Sequence, residues 1–179
     1  MTFDPDTPFF VFDVESIGLH GQAFAVGGGV YISGAAQSEF CFSCPTNEAD
    51  GDEDDRRWIA ENVPVIEVTH RGHLPLVEAF WEKWQEAKNL YSNIQMAGEC
   101  FWPVESNLLS ACVRQNREER KWQGPYPFHE ISSIMLAAGM DIMKTYERTP
   151  SETPAHNPLT DARLSARLLA TALNKLSNV

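Results

Sequence analysis

The sequence lacks long apolar runs, and this absence excludes one class of protein. No stretch of the 179 residues reaches the roughly 18 consecutive apolar residues typical of a membrane-spanning helix. The N-terminal residues MTFDPDTPFF also have no basic group ahead of their apolar residues, unlike a secretory signal peptide. We therefore expect a soluble, cytoplasmic protein with no membrane partner.

Basic residues are scarce. The chain has 14 Lys and Arg against 25 Asp and Glu, for a formal net charge of -11. Nucleic-acid binding depends mainly on Lys and Arg, which displace counterions from phosphates. Six of the acids fall within residues 47–55, NEADGDEDD, which predicts a solvated acidic loop over about residues 45–56. Without these six, 19 acids remain, so charge neither excludes nor favours a nucleic-acid substrate.

Cysteines are few, and their spacing does not favour a structural zinc site. Cys41 and Cys44 are spaced C-x-x-C, but Cys100 and Cys112 form no second pair of that kind, and no pair of histidines lies near. We expect free thiols. The sequence also has no internal repeat, and residues 1–179 are predicted to form a single domain.

The hydrophobic pattern predicts an α/β domain with a mixed sheet. Three strands joined by short turns, which suggest an antiparallel meander, are predicted over residues 9–13, 23–32 and 38–44. A fourth strand is predicted within residues 89–98. Helices are predicted over residues 56–63, 75–88, 103–115, 128–139 and 158–176. A proline-containing loop, residues 147–157, precedes the last helix.

Three groups of polar residues stand at the ends of these elements. Asp13 and Glu15 project from the end of the first strand on the same face, so they can hold one cation, although such pairs are more often simply solvated. His156 directly precedes the last helix and Asp161 lies one turn inside it. Glu105 lies in the first turn of its helix. Each helix acid also has a plain interpretation, as a residue favoured by the helix dipole.

Together these residues resemble the motifs of a known family. DVESIGL, residues 13–19, resembles the first motif, D-x-E-T-x-G-L, of the DEDDh 3′-to-5′ exonucleases, and HNPLTDA resembles their third motif, H-x-x-x-x-D-A. VESNLL resembles the second motif, in which Glu105 stands where the family has Asp; Glu99 is an alternative for that role. Within the family, the chain is most similar to the small single-domain bacterial and phage exoribonucleases.

The resemblance implies a ribonuclease H-like fold: a mixed five-stranded sheet with an antiparallel three-strand meander, flanked by helices. It also implies two Mg²⁺ or Mn²⁺ ions. Asp13 would bridge both ions, Glu15 and Asp161 would complete the first, and Glu105 would hold the second partly through water. His156 would be the general base, since a pKa of about 6.5 suits an imidazole to take a proton near neutral pH.

The resemblance further implies how the substrate binds. The 3′ end of single-stranded RNA or DNA would be the partner, with RNA favoured. Ser16 and Ile17 would offer backbone contacts to the terminal nucleotide, and Leu19 would wedge against its base. Small members of the family are often dimers, so a homodimer is also expected.

Two other functions fit the same sequence. Glu105 in place of Asp is compatible with a nucleic-acid-binding module whose nuclease site has decayed. Residues 47–55 are compatible with an acidic interaction protein that docks through this segment. Nothing in the sequence distinguishes RNA from DNA, because that choice depends on contacts to the 2′-hydroxyl.

Overall fold

The computed structural model describes residues 6–47 and 49–178, which form a five-stranded mixed sheet of order β3-β2-β1-β4-β5. Strands β1 to β3 form an antiparallel meander, whereas β4 and β5 run parallel to β1. The strands are β1 Phe9–Ser16, β2 Ala23–Ile32, β3 Ala35–Ser43, β4 Gln95–Gly98 and β5 Phe128–Glu130. The predicted five-stranded sheet and its meander are confirmed.

Helices cover both faces of this sheet. They are α1 Glu53–Asn62, α2 His73–Leu90, α3 Val104–Gln115, α4 Arg117–Arg120, α5 Ile131–Ala137 and α6 Pro158–Ser177, with a 3₁₀ turn at Pro150–Glu152. Helices α2 and α3 pack on one face, and α5 and α6 on the other. None of the described helices is both long and apolar enough to cross a membrane.

Alternation along β1 decides where the acids point. Phe10 and Phe12 belong to the core under α2 and α3, whereas Phe9 and Val11 belong to the core under α6. Successive side chains of a strand point to opposite faces, so Asp13 continues the series of Phe9 and Val11. Asp13 and, two residues later, Glu15 therefore emerge on the α6 side.

A glycine allows α6 to approach this end of the sheet closely. Gly27 of β2 lies opposite Asp13 in the strand register. A Cβ atom at Gly27 would lie 2.2 Å from the backbone nitrogen of Leu159, in the first turn of α6. Because glycine leaves this space open, the first turn of α6, which carries Asp161, lies directly over β2 beside Asp13.

Two element boundaries differ from the prediction. Residues 128–130 form strand β5 rather than the start of a helix, because Phe128 pairs with Met96 in a parallel ladder. Helix α5 begins only at Ile131, capped by the carboxylate of Glu130. The fourth strand is also shorter than predicted, because α2 continues to Leu90 and the chain pairs with β1 only from Gln95.

The acidic segment is more ordered than the predicted loop over residues 45–56. Helix α1 begins at Glu53, and Asp52 and Asp55 form a reciprocal capping box at its start. Acids are favoured there by the helix dipole, which explains why the helix begins inside the acidic run. Asp50 accepts a hydrogen bond from the backbone nitrogen of Gln22 at 2.9 Å, which ties the segment to the turn after β1.

Candidate active site

Strand β1 supplies the first two carboxylates. Glu15 is buried and Asp13 is half-buried. The β1–β2 ladder shifts register between Glu15 and Ser16, so regular pairing ends directly after these acids. A strand at the centre of the sheet fixes their positions.

Helix α6 brings the third carboxylate and the histidine. Asn157 caps the helix, because its Oδ1 accepts hydrogen bonds from the backbone nitrogens of Leu159 and Thr160 at 3.1 and 3.4 Å. Asp161 follows one turn later and accepts a hydrogen bond from the backbone of His156. Ligand atoms of Glu15, His156 and Asp161 all lie within 4.8 Å of one another.

His156 has an unusual backbone conformation. Its φ is 57°, in the left-handed region that residues other than glycine rarely adopt. Its ring also meets the indole of Trp58 in α1 edge to face, with centroids 5.1 Å apart. Uncommon backbone angles of this kind persist where surrounding contacts enforce them, and they cluster at functional sites.

Helix α3 supplies the fourth carboxylate. Glu105 is only 5% exposed. It accepts hydrogen bonds from its own backbone nitrogen and from that of Val14, the residue between the two acids of β1. Glu105 therefore lies against the end of β1, on the side reached by α3.

These carboxylates repel one another. Burial, followed by repulsion from Glu105, Asp161, Glu15 and Glu99, raises the pKa of Asp13 well above its usual range. Burial together with repulsion from Asp161 and Glu105 raises the pKa of Glu15 to about 8. Burial also raises the pKa of Glu105 to about 8. The cluster therefore favours either bound protons or a cation.

Arg148 is the cation that the chain itself places nearest. Its guanidinium lies 2.5 Å from Asp161 Oδ1, in an orientation that makes an ion pair rather than an aligned hydrogen bond. Burial still raises the pKa of Asp161, and Arg148 only opposes that rise. One arginine thus offsets part of the negative charge at the cluster.

The structure places Glu105 and Glu99 in different environments. Among the neighbouring acids, Glu105 repels Asp13 most strongly and Glu99 least. Glu99 accepts a hydrogen bond from Ser165 Oγ of α6 at 2.9 Å. Glu105 is thus the acid more closely associated with Asp13, and Glu99 lies at the edge of the group.

The residues predicted to contact substrate follow β1 directly. The Ser16 hydroxyl donates a hydrogen bond to the carbonyl of Gly18 at 2.7 Å, which stabilises the turn. The Ile17 side chain is buried in the core, so only its backbone can face a ligand. Leu19 is 65% exposed and free to contact one.

Sequence reasoning missed Arg148 and Trp58. They lie outside the motifs, on the loop before α6 and on α1, and nothing in their sequence context marks them. For Gly27 the sequence does carry a signal, because three consecutive glycines interrupt a buried strand, and glycine in a strand often marks a close approach of another backbone.

Four carboxylates and an imidazole are suited to hard divalent cations. Mg²⁺ and Mn²⁺ prefer oxygen ligands, and carboxylates are their usual protein ligands. Two observations fit such ions: the carboxylates repel one another, and ligand atoms of Glu15, His156 and Asp161 lie within 4.8 Å of one another. A divalent cation would relieve the repulsion.

Comparison with known proteins gives structural neighbours but no sequence relatives. No protein-family model matches the sequence, and no curated protein matches it significantly. The structure is similar to that of S. pombe Pop2p in its Mg²⁺- and Mn²⁺-bound form, with a TM-score of 0.59 and 12% identity over 92% of this chain and 82% of Pop2p.

Two further neighbours are 3′-exonucleases. The nuclease domain of 3′hExo, a DEDDh family member bound to rAMP, has a TM-score of 0.56 at 15% identity over 97% of this chain and 94% of that domain. A 3′-exonuclease that recognises the 3′ end of a histone mRNA stem-loop has a TM-score of 0.56 at 13% identity, over 96% of this chain and 66% of that protein. The predicted ribonuclease H-like fold is confirmed; the bacterial and phage branch stays a prediction.

Proposed function

We propose that the protein is a metal-dependent 3′-to-5′ exonuclease of the DEDDh family, forming a single exonuclease domain over residues 1–179. It removes nucleotides from the 3′ end of single-stranded nucleic acid, RNA in preference to DNA. The observation that carries this proposal is the group formed by Glu15, His156 and Asp161, whose ligand atoms lie within 4.8 Å of one another, with Asp13 and Glu105 near enough to repel the same carboxylates.

The proposal assigns a role to each of these residues. Asp13, Glu15 and Asp161 would hold one divalent cation, and Asp13 and Glu105 would hold a second. When bound, such cations lower the pKa of water and offset the charge that develops on a phosphate. The four carboxylates stand on two helices and a central strand, so that little reorganisation is needed during the reaction.

His156 acts as the general base. An unprotonated ring nitrogen accepts the proton of the attacking water, whose oxygen forms a bond to the phosphorus as the bond from phosphorus to the 3′ oxygen breaks. The products are a nucleoside 5′-monophosphate and a chain shortened by one nucleotide. Hydrogen bonding between the His156 backbone and Asp161 keeps the base beside the carboxylates.

The loop before α6 is held in place by buried polar contacts. Glu152 is buried and accepts hydrogen bonds from Arg167 Nε at 2.6 Å and from the backbone nitrogen of Thr149 at 2.8 Å. Arg163 donates to the carbonyl of Ser151 at 2.9 Å. These contacts anchor the segment between Arg148 and His156 on α6, and thereby position the base.

The preference for RNA is supported by two of the structural neighbours. One was solved with rAMP and the other recognises the 3′ end of a histone mRNA. The exposed Leu19 and the backbone of Ser16 and Ile17 hold the terminal nucleotide in this proposal. Stacking of a base on an apolar side chain tolerates any base, as an exonuclease requires.

The test is digestion of end-labelled oligonucleotides. With Mg²⁺ or Mn²⁺, a 5′-labelled single-stranded RNA should shorten one nucleotide at a time, a 3′ label should be released at once, and chelator should abolish both. Matched DNA should be degraded more slowly. Retention of intact RNA without cleavage under all metal conditions would contradict the proposal and favour a binding module with a decayed site.

A further inference from the structure

A groove begins beside the carboxylate cluster and follows α3 away from it. Ser106, which comes directly after Glu105, lines it together with Leu109, Ser110 and Val113. Residues spaced i, i+3, i+4 and i+7 share one face of a helix, so this face of α3 forms the wall of the groove. The groove has a volume of about 700 Å³ and is open to solvent.

The groove carries positive charge in a chain that is strongly acidic. Arg114, Arg117 and Lys121 line it, and all three are exposed. Its lining, taken from the described parts of the chain, contains no Asp or Glu. Three of the 14 basic residues of the protein thus lie together, although the net charge is -11.

These three cations are not used in holding the fold together. The ion pairs found among residues 6–47 and 49–178 include none of them. Arg120, within the same stretch of sequence, differs: it pairs with Glu78 at 2.5 Å and lies over the ring of Trp81. Arg114, Arg117 and Lys121 are therefore available to bind a negatively charged ligand.

Aromatic rings complete the groove. Tyr126 is 73% exposed, and Phe101 and Phe128 are stacked with their centroids 3.9 Å apart. Aromatic side chains beside a positively charged groove are the two features that bind single-stranded nucleic acid without regard to sequence, because every base has a face that can stack.

One end of the groove lies next to residues of the carboxylate cluster. Ser106 of its lining comes directly after Glu105, and Phe101 follows Glu99 by two residues; the backbone nitrogen of Ser106 donates to the Phe101 carbonyl at 3.1 Å. From Ser106 to Arg114 the helix rises by about 12 Å, at 1.5 Å per residue. The groove therefore extends along α3 away from the end that carries Glu105.

We infer that this groove binds the body of a single-stranded polynucleotide, on the 5′ side of the nucleotide at the carboxylate cluster. Arg114, Arg117 and Lys121 contact its phosphates, and bases stack on Tyr126 and Phe101. The direction of the strand rests on the proposed exonuclease function, whereas binding of the strand does not. The groove also explains how a protein of this net charge holds a polyanion.

The test removes the charge of the groove without touching the carboxylate cluster. The groove variant is Arg114→Gln/Arg117→Gln/Lys121→Gln. The control variant, Arg71→Gln/Lys144→Gln/Lys175→Gln, loses the same charge at exposed residues outside the groove. Binding of a fluorescent 12-nucleotide single-stranded RNA is measured by anisotropy in chelator, and hydrolysis of a dinucleotide is measured with Mn²⁺.

The groove variant should bind the 12-mer at least tenfold more weakly than the control variant does. Each phosphate contact to a single strand contributes about 0.7 to the slope of log Kd against log salt, so losing three should reduce that slope by about 2. Dinucleotide hydrolysis should be unchanged, because a dinucleotide is too short to reach the three cations.

A second variant separates stacking from charge. Tyr126→Ser should weaken binding of the 12-mer by about tenfold, the effect of losing one base stack, and leave the salt slope as it is. Tyr126→Phe should restore binding, because the ring rather than the hydroxyl makes the contact.

Several results would overturn the inference. One is an equal Kd for the 12-mer in the groove and control variants. Another is tighter binding of poly-glutamate than of RNA, which would make the groove a site for acidic peptides. A third is conversion of a dimer to a monomer in the groove variant with RNA binding intact. Lost RNA binding in the groove variant, with no hydrolysis by the unaltered protein, would support the groove and contradict the exonuclease.

Discussion

Carboxylates beside two parts of α6 have opposite surroundings. Toward the middle of the helix, Arg163 pairs with Glu39 and Arg167 pairs with Glu152, each at 2.6 Å. At the first turn, Asp161 joins the cluster formed with β1 and α3. Hydrogen bonds from the arginines lower the pKa of Glu39 and of Glu152, whereas burial and repulsion raise the pKa of the cluster acids.

The acids paired with arginine and the acids of the cluster therefore have different roles. The chain pairs a carboxylate with arginine where the pair holds a loop or a strand to α6. At the cluster it gathers several carboxylates, and within residues 6–47 and 49–178 the one ion pair found there joins Arg148 to Asp161. Burying unpaired charges together costs stability. A cation from solution offsets that cost, and this is the basis on which we assign the cluster to metal.

The largest effects are expected when one cluster acid and one arginine-paired acid are replaced. Asp13→Asn should abolish hydrolysis. In chelator it should also raise the free energy of unfolding, because burial and repulsion from the neighbouring acids disfavour the Asp13 carboxylate. Glu39→Gln should do the reverse: it keeps activity and lowers stability. Activity assays and urea unfolding check both, and an active Asp13→Asn would remove Asp13 from the mechanism.

The next largest effect is expected from replacing His156, the proposed base beside the cluster. His156→Ala should slow hydrolysis on the order of a hundredfold or more, as loss of a general base does, without weakening Mn²⁺ binding to a similar degree. Added imidazole should restore part of the rate. The control is His70→Ala. His70 lies outside the carboxylate cluster, and its ring contacts Phe42 of β3. Equal rates in both variants would exclude His156 as the base.

A smaller effect distinguishes the two glutamates. Glu105→Gln should weaken Mn²⁺ binding by more than tenfold, because Glu105 is the acid that repels Asp13 most strongly. Glu99→Gln should weaken it less, because Glu99 lies at the edge of the group, where it accepts a hydrogen bond from Ser165. Titration calorimetry of both variants decides the matter, and a larger loss in Glu99→Gln would reverse the assignment.

The smallest effect is the pH dependence of stability in chelator. Glu15 and Glu105 have folded pKa values of about 8, above their ordinary 4.5. They therefore stabilise the fold below pH 4.5 relative to higher pH, and that contribution is lost as pH rises through about 8. Glu39 and Glu152, whose pKa values are lowered, contribute stability above pH 4.5 that is lost as pH falls.

Stability without metal should thus decline from mildly acid to mildly alkaline pH, and Mn²⁺ should flatten that decline. Thermal melting between pH 5 and 8.5, with and without Mn²⁺, measures both curves. A melting temperature that rises over this range in chelator would show that the cluster acids do not repel one another. Glu15 and Glu105 would then not differ from Glu39 and Glu152.

Most of the sheet could be predicted from sequence because its strands carry local signals. Strand β1 is a continuous apolar run, as expected for a buried central strand, and β2 follows after a short turn. Strand β5 could not be found, since three residues show no period and only pairing with β4 makes them a strand. The start of α1 had a signal in Asp52 and Asp55, a capping pattern hidden within the acidic run.

The cluster acids could be selected from sequence only through their resemblance to family motifs. Periodicity places Asp13 and Glu15 on one face, but nothing local brings α3 and α6 to that face. Their approach depends on tertiary packing, including the space left by Gly27. Arg148 was not predictable, because its contact with Asp161 depends on the path of the loop that Glu152 holds.

Binding of divalent cations by the carboxylates of Asp13, Glu15, Glu105 and Asp161 can be measured by calorimetric titration of Mn²⁺ into the metal-stripped protein. We predict binding that is tighter at pH 8 than at pH 6, with release of protons, and that is lost in Asp13→Asn but kept in Glu39→Gln. No binding by the unaltered protein, or equal binding by Asp13→Asn, would contradict the account.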